Sequence, residues 1–246
     1  MMIFKINPKY KELEKEILQI PSRFDSEQEV LEKDRNVIKV MIVGGMRLNV
    51  KSFKRPHLFN RLVYAYIRKS KAQRSYEYAQ LLLNRQIGTP EPIAYLIYKD
   101  MWGITHSYYV SRQLEFDFTF RELRANMPSD LDEILRQFTR FTYRFHQAGI
   151  YFIDHSPGNT LIRKGTNGYE FYLVDLNRIH LKNIPPYVGL RNFYRLNASD
   201  TMIDIMAEEY ACLTREDAGK MIGLLRKWTH EHDEKVIKRK RRKGIL

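Results

Sequence analysis

Tyr151-Phe-Ile-Asp154-His-Ser-Pro-Gly-Asn159-Thr-Leu-Ile162, followed by Phe171-Tyr-Leu-Val-Asp175-Leu-Asn-Arg178, is the stretch whose reading decides the fold. A carboxylate and an amide five residues apart sit on a Pro-Gly loop between apolar segments, and a second carboxylate ends a strand-like run. The aromatic and β-branched residues around Leu161-Ile162 and from Tyr169 to Val174 predict two short strands. Just upstream, Leu131, Ile134, Leu135, Phe138, Phe141, Thr142 and Phe145 recur at helical spacing. That helix is expected to start at a capping-box-like Ser129-Asp-Leu-Asp132 and to end at Gly149.

Toward the N-terminus the period changes. Tyr10, Leu13, Ile17 and Leu18 predict a short amphipathic helix closed by Pro21. Glu29 to Lys33, Asn36 to Val43 and Met46 to Phe53 read as three strands, the last two joined at Gly44-Gly45. Lys33-Asp-Arg-Asn36 is the polar turn between the first two. From Ser70 to Gln86 the pattern is helical, with Ala72, Tyr76, Ala79, Leu82 and Leu83 inward and Gly88 as the stop. Thr89-Pro-Glu-Pro92 connects it to a second strand pair, Ile93 to Tyr98 and Ser107 to Leu114, around Gly103. Downstream, Ser199 to Ala211 and Thr214 to His230 are expected to be closing helices. The predicted class is therefore α+β, strands around one helix followed by a mainly helical half.

Composition narrows the setting. One cysteine, Cys212, excludes an internal disulfide and a thiolate metal site, as in a reducing compartment. The first residues have no apolar core of signal-peptide length, and no run of about 18 apolar residues occurs, so a cytoplasmic protein is expected. Seven units of the net +13 lie between Lys235 and Lys243, leaving +6 for the body. A second basic cluster runs from Lys51 to Arg74. Such a balance points to a polyanionic partner.

The carboxylates and amide have the chemistry of phosphoryl transfer. One carboxylate, Asp154, would orient the attacking hydroxyl and accept its proton, while Asn159 and Asp175 would hold Mg²⁺ on the phosphates with hard oxygen ligands. Upstream, Lys51 sits in the third strand, where its ammonium would reach the α/β-phosphates. Glu77, the only carboxylate of the following helix, would fix that ammonium. Each has a plainer reading: a turn-capping carboxylate for Asp154, a strand-end salt bridge for Asp175, an edge lysine for Lys51, and a solvated glutamate paired with Arg74 or Lys71 for Glu77. His146, His155 and His180 fit no zinc spacing and are read as hydrogen-bonding residues. Ser156 has no base at motif spacing and is read as a loop-former or substrate contact. Arg178 either meets an acidic substrate group by a bidentate pair or closes an internal ion pair with Asp154 or Asp175.

The order Val-Lys51-Ser-Phe, Lys-Ala-x-Arg-Ser-Tyr-Glu77, Thr-Pro-Glu-Pro, Asp154-x-Ser-Pro-Gly-Asn159 and Val-Asp175-Leu-Asn-Arg resembles the bacterial lipopolysaccharide kinases that phosphorylate Kdo or heptose, within the protein-kinase-like superfamily. The resemblance covers about residues 29 to 212. It implies a bilobal fold: a small antiparallel-sheet lobe with one key helix over 1–112, a mainly helical lobe over 113–234, and a basic tail over 235–246. It also implies ATP with Mg²⁺ and a sugar or glycolipid acceptor. By position, Lys51 binds phosphate, Glu77 anchors it, Asp154 is the base, and Asn159 and Asp175 hold metal. Tyr108 to Leu114 matches the interlobe hinge, so Tyr109, Val110 and Ser111 would meet the adenine through their backbone.

Three departures qualify the resemblance. No Gly-x-Gly-x-x-Gly is present: Lys33-Asp-Arg-Asn36 stands in that place, with Arg35 or Asn36 as substitute phosphate contacts. Phe152-Ile153 replaces the His-Arg of the protein-kinase catalytic loop, removing the arginine that reads a phosphorylated activation loop. Asp175-Leu-Asn replaces Asp-Phe-Gly. A kinase of a small molecule or glycolipid, most simply of Kdo, is expected rather than a phosphorylation-switched protein kinase. The alternatives are a kinase of protein or another small molecule and a catalytically impaired pseudokinase or binding module. The basic tail reads as a disordered solvated end, as an attachment to the anionic face of the inner membrane, or as a nucleic-acid contact. The missing aromatic interleaving argues against the last, and the chain is expected to be a monomer.

Overall fold

The structure is a computed structural model that describes residues 1–33, 36–54 and 69–244. The chain divides into two compact units, one of Met1–Asn84 with Thr89–Leu114 and one of Arg85–Gly88 with Glu115–Leu246.

The first unit is a six-stranded antiparallel sheet with a helix packed on it. Its strands are β1 (Met2–Ile6), β2 (Val30–Lys33), β3 (Asn36–Val43), β4 (Met46–Phe53), β5 (Pro92–Asp100) and β6 (Gly103–Arg112), in the order β1-β5-β6-β4-β3-β2. The hairpin between β3 and β4 forms as expected: Gly44 and Gly45 both take positive φ, 55° and 75°, which a two-residue turn matching strand twist requires. From there the register runs Val43↔Met46 to Asn36↔Phe53. Met41, Val43, Leu48, Val50, Ala94, Leu96 and Val110 form the core of one face. That face is closed by Tyr10, Ile17, Ile20 and Phe24 from the N-terminal segment.

Two N-terminal features differ from expectation. β1 pairs with β5 along Met2↔Tyr98 to Ile6↔Ala94, a strand the sequence pattern did not reveal. As an edge strand it buries little and shows no clean alternation of apolar and polar residues. Pro21 does not close a helix either. It lies in the first turn of α2 (Ile20–Arg23), just after α1 (Glu14–Leu18), where the missing N–H costs nothing.

The helix of this unit, α3 (Lys71–Asn84), buries Ala72, Tyr76, Ala79 and Leu82 against β5 and β6. Tyr76 meets Tyr95 edge to face, with centroids 5.5 Å apart.

The second unit contains β7 (Phe118–Thr119), α4 (Phe120–Asn126), α5 (Leu131–Gln147), β8 (Ile150–Phe152), β9 (Thr160–Gly165), β10 (Gly168–Leu173), β11 (Ile179–Leu181), α6 (Pro186–Leu190), α7 (Asp200–Thr214) and α8 (Ala218–Arg242). The strands form a three-stranded sheet, β10-β9-β7, and a ribbon, β11-β8. The apolar stripe of α5 is the centre of the core: Phe138, Phe141 and Phe145 are buried with Phe171 and Phe193 around them. The expected capping box of Ser129 and Asp132 is absent: the N-cap is Asp130, whose carboxylate accepts from the Tyr169 hydroxyl at 2.5 Å, and the Asp132 carboxylate accepts from Arg136 Nε at 2.8 Å. A reciprocal cap occurs one helix earlier, where the Glu122 carboxylate accepts from the Thr119 N–H at 2.6 Å.

The last helix is longer than the apolar pattern predicted. It starts on Asp217, whose Oδ1 accepts from the Lys220 N–H at 2.6 Å, and runs through the basic segment to Arg242. Arg239, Lys240, Arg241 and Arg242 fall in its last turn, where cations suit the helix dipole. The basic segment is therefore helical as far as Arg242, not a disordered end.

Candidate active site

Each unit supplies part of the expected set. In the first, Lys51 is a buried residue of β4, opposite Ile38 on β3 and Tyr109 on β6, with Nζ 5.6 Å from the Phe53 ring centroid. Glu77 projects from α3, but its pairing is not the one expected. Lys69 Nζ donates to Oε2 at 2.7 Å and Gln73 Nε2 donates to Oε1 at 3.0 Å. Gln73 is one helical turn before Glu77 and Lys69 lies just before the helix, so the local contacts capture the carboxylate.

The adenine contacts expected from Tyr109, Val110 and Ser111 also need correction. These residues lie in β6, an interior strand with ladders to β4 on one side and β5 on the other. Their backbone groups are spent within the sheet, so any adenine edge must be read beyond the strand. The bonding runs through the last residue of the strand, where the Arg112 N–H donates to Glu91 O, and one residue past it, where the Gln113 N–H donates to Arg47 O. Asn36 opens β3, its Oδ1 buried without a hydrogen-bond partner among the described residues. Arg35 lies outside the described residues.

In the second unit the ribbon of β8 and β11 sets Asp154 beside Arg178. Ile179 pairs with Phe152, and the Ile153 N–H donates to Arg178 O at 3.2 Å, so the two side chains leave adjacent strand ends. Arg178 Nη1 then reaches Asp154 Oδ1 at 3.1 Å. Of the two readings of Arg178, the ion pair with Asp154 is thus present. Arg195 donates to Ile153 O at 3.0 Å and stands 3.9 Å from the same carboxylate.

The loop is locked by its own amide. Ser156 precedes a single 3₁₀ turn, Pro157–Asn159, and its carbonyl accepts from the Asn159 N–H at 2.9 Å. Asn159 Nδ2 donates back to Asp154 O at 2.8 Å. The Val174 N–H donates to Asn159 O at 3.0 Å, which ties the exit of β10 to the loop and delivers Asp175 next to it. Asp175 has φ 58°, a left-handed conformation costing a non-glycine residue on the order of 1 kcal/mol, and Asn177 Nδ2 holds its Oδ1 at 2.7 Å. Asp154 and Asn159 are therefore joined by a side-chain-to-backbone hydrogen bond, and a backbone bond from Val174 to Asn159 brings the neighbouring Asp175 to them. Asn159 commits its amide nitrogen to the loop, leaving an amide oxygen that, with the Asp175 carboxylate, fits a hard, partly hydrated cation such as Mg²⁺. Among the described residues no group of three or more His, Cys, Asp or Glu is placed to hold a metal ion.

A polar network under the loop was not foreseen. Asn192 donates through Nδ2 to Phe152 O at 2.8 Å, and its Oδ1 lies 3.1 Å from His146 Nε2. This makes Nε2 the protonated nitrogen of His146 and leaves Nδ1 to accept from the Tyr210 hydroxyl at 2.9 Å. His155 is fully buried among Phe138, Phe145, Phe152 and Phe193, its Nδ1 lying 3.2 Å from Asn192 O. Burial drives both imidazoles toward the neutral form, His146 to about 4 and His155 to about 3. The partners are 37 to 64 residues apart, so no spacing rule would have found them.

The antiparallel sheet with one helix, followed by a helical unit holding an Asp-x4-Asn loop and a strand-end aspartate, defines the class as protein-kinase-like. WaaP in complex with acyl carrier protein is similar in structure, with TM-score 0.60 and 16% identity over 96% of this chain and 98% of that one. The bilobal α+β kinase fold expected from the sequence is thus the fold of the chain. The profile of the lipopolysaccharide kinase (Kdo/WaaP) family matches residues 46–216, and the chain belongs to that family. It is accordingly a phosphotransferase acting on a sugar hydroxyl. A WbdD structure with the kinase inhibitor LY294002 also matches, with TM-score 0.47 and 15% identity over 83% of this chain and 45% of that one. No curated protein sequence matches.

Proposed function

We propose that this lipopolysaccharide kinase moves the γ-phosphoryl group of ATP onto a hydroxyl of Kdo in an inner-core precursor, with heptose as the alternative acceptor. The observation that supports it best is the bonded run Asp154–Asn159–Val174, which draws Asp154, Asn159 and the strand exit carrying Asp175 together. Asp154 takes the role of positioning the acceptor hydroxyl and accepting its proton. Lys51 neutralises nucleotide phosphate, and Asn159 with Asp175 would hold Mg²⁺, which supplies charge neutralisation at the phosphates when bound. Ser156 and Arg178 are assigned to the acceptor side, and adenine recognition to the backbone from Leu114 onward.

The test uses purified protein with ATP, Mg²⁺ and a Kdo-terminated lipid A acceptor. ADP and a phosphosugar should form, and Asp154→Asn should abolish both. Equal inertness of the wild type and the variant toward Kdo and heptose acceptors overturns the reading. A catalytically impaired nucleotide-binding module is the second reading, favoured by the engagement of Glu77 with Lys69. It predicts nucleotide-dependent thermal stabilisation without ADP formation.

A lipid-linked acceptor also suggests a place of work. Among the described residues no helix is long and apolar enough to cross a membrane. The exposed basic end of α8, with Val236 and Ile237 exposed among its cations, is proposed to rest on the anionic cytoplasmic face of the inner membrane. Vesicles containing anionic lipid should retain the chain at low salt and release one truncated after His232. Retention equal to that on neutral vesicles overturns this placement.

A further inference from the structure

We propose that Arg121 is an acceptor-specificity residue that binds an anionic group, carboxylate or phosphate, of the molecule being phosphorylated. The inference rests on the kinase reading above and adds a residue that the sequence motifs did not single out.

Arg121 stands in the first turn of α4, which is pinned to the core by the buried side chains of Phe120 and Leu123. The two arginines of this helix are used differently. Arg124 donates to Asn197 Oδ1 at 2.6 Å and to Asn197 O at 3.0 Å, a latch within the unit. Arg121 is exposed and has no hydrogen bond or ion pair among the described residues. Two nearby carboxylates are already engaged, Glu122 by the Thr119 N–H and Asp117 by the Lys164 N–H.

The guanidinium of Arg121 lies against the bare backbone of Gly158, between Asp154 and Asn159 in the loop. A Cβ on Gly158 would sit 2.7 Å from Arg121 Nη2 and 3.4 Å from its Cζ. Glycine thus leaves the space that an unpaired planar cation occupies, one residue from Asn159. Arg178 and Arg195 flank the same loop at Asp154 but are partly spent on Asp154 and the Ile153 carbonyl. Arg121 retains its full fork of donors for a ligand, and such a fork suits a carboxylate or phosphate. An acidic acceptor sugar brings such a group to the loop together with its hydroxyl.

Two variants separate this role from a structural one. Arg121→Gln removes the charge. Gly158→Ala keeps the charge but pushes the guanidinium aside, and because the obstructing atoms are the end of a flexible side chain the fold should survive, as an unchanged Tm would report. Both should raise the KM for a Kdo-terminated lipid A acceptor about 10- to 100-fold, while the KM for ATP stays unchanged. Esterifying the sugar carboxylate should erase the difference between Arg121→Gln and wild type if the carboxylate is the ligand. Removing the lipid A phosphates should erase it if phosphate is. An unchanged acceptor KM, a rise in the KM for ATP alone, or an effect that persists with an acceptor lacking both anions overturns the proposal. If the wild type transfers no phosphate to any acceptor, it is the kinase reading that fails, and failure of the Arg121 role shows only as equal KM values in an active enzyme.

Discussion

Arg178 Nη1 meets Asp154 Oδ1 at 3.1 Å, from residues 24 apart in sequence that the β8–β11 ribbon aligns side by side. The pair is not a buried structural bridge. The Arg178 side chain is 53% exposed and that of Asp154 is 18% exposed, so solvent screens the attraction and its contribution to stability is small. Its consequence lies in orientation. One carboxylate oxygen is held by the guanidinium, and on the proposed role of Asp154 as the base the other would take the proton of the acceptor hydroxyl.

Arg178→Ala should therefore leave the fold unchanged and lower kcat by about 10- to 100-fold, the cost of a carboxylate misplaced by about 1 Å. Arg178→Lys should recover part of the loss. A Tm drop of many degrees with unchanged kcat in the surviving protein would show that the pair is structural instead.

In the first unit, Lys39 on β3 is a buried cation with a defined task. Its Nζ donates to Phe24 O at 2.7 Å, Glu27 O at 2.9 Å and Asp25 O at 3.2 Å, and sits 5.0 Å from the Phe24 ring centroid. All three ammonium donors are thereby used, and the segment leading into β2 is pinned to the sheet. Lys39→Met removes the charge but strands three carbonyls. It should cost about 2–4 kcal/mol, measured by denaturant unfolding with an unchanged m-value.

The buried histidines predict a pH dependence. His146 and His155 titrate near 4 and 3 in the folded chain, below the ordinary histidine value of 6.5. Below about pH 6.5 the unfolded chain binds protons that the folded chain refuses, so stability is full above that pH and falls as the pH drops toward 4. His155→Phe places a ring of similar shape among four phenylalanines and should flatten the fall. It should also lower stability near neutrality by about 1 kcal/mol, for the hydrogen bond lost at Asn192 O. Tm measured from pH 8 to pH 4.5 checks the slope. An identical slope in the variant would remove His155 as its source.

The strands with strong β-branched content and a Gly-Gly turn were legible in the sequence, as was the α5 stripe, because local pattern alone decides them. β1 was not, since an edge strand buries too little to show alternation. The helical course of Lys235 to Arg242 was hidden because no apolar period marks it; it continues a helix nucleated by packing upstream. The spacing singled out Asp154, Asn159 and Asp175, which hydrogen bonds through Asn159 draw together, whereas the partner of Glu77 was not legible. Sequence order offers both Lys51 and Lys69, and the partner in the fold is Lys69, just before the helix. Arg121 was invisible for a related reason: its neighbour is a glycine 37 positions away whose bare backbone bears no sequence signature of what lies against it.

Asn192 joins the helical core to the loop, and its removal gives the sharpest test of how the site is held. Its side chain spans His146 and Phe152 O, and its own carbonyl receives His155. Asn192→Ala leaves the His146 Nε2–H and the Phe152 carbonyl unpaired in a space too apolar to solvate them. A loss of about 2–5 kcal/mol is expected. Gly189→Ala attacks the same network from the other side, because a Cβ there would lie 1.9 Å from the Tyr210 hydroxyl and 2.9 Å from His146 Nδ1. Overpacking of that kind costs about 1–3 kcal/mol. If the network positions Phe152 and hence Asp154, both variants should lower kcat in the protein that remains folded, with the KM for ATP unaffected. If kcat per folded molecule equals that of the wild type in both, the network supports the core alone and the loop is held by Asn159 and Arg178.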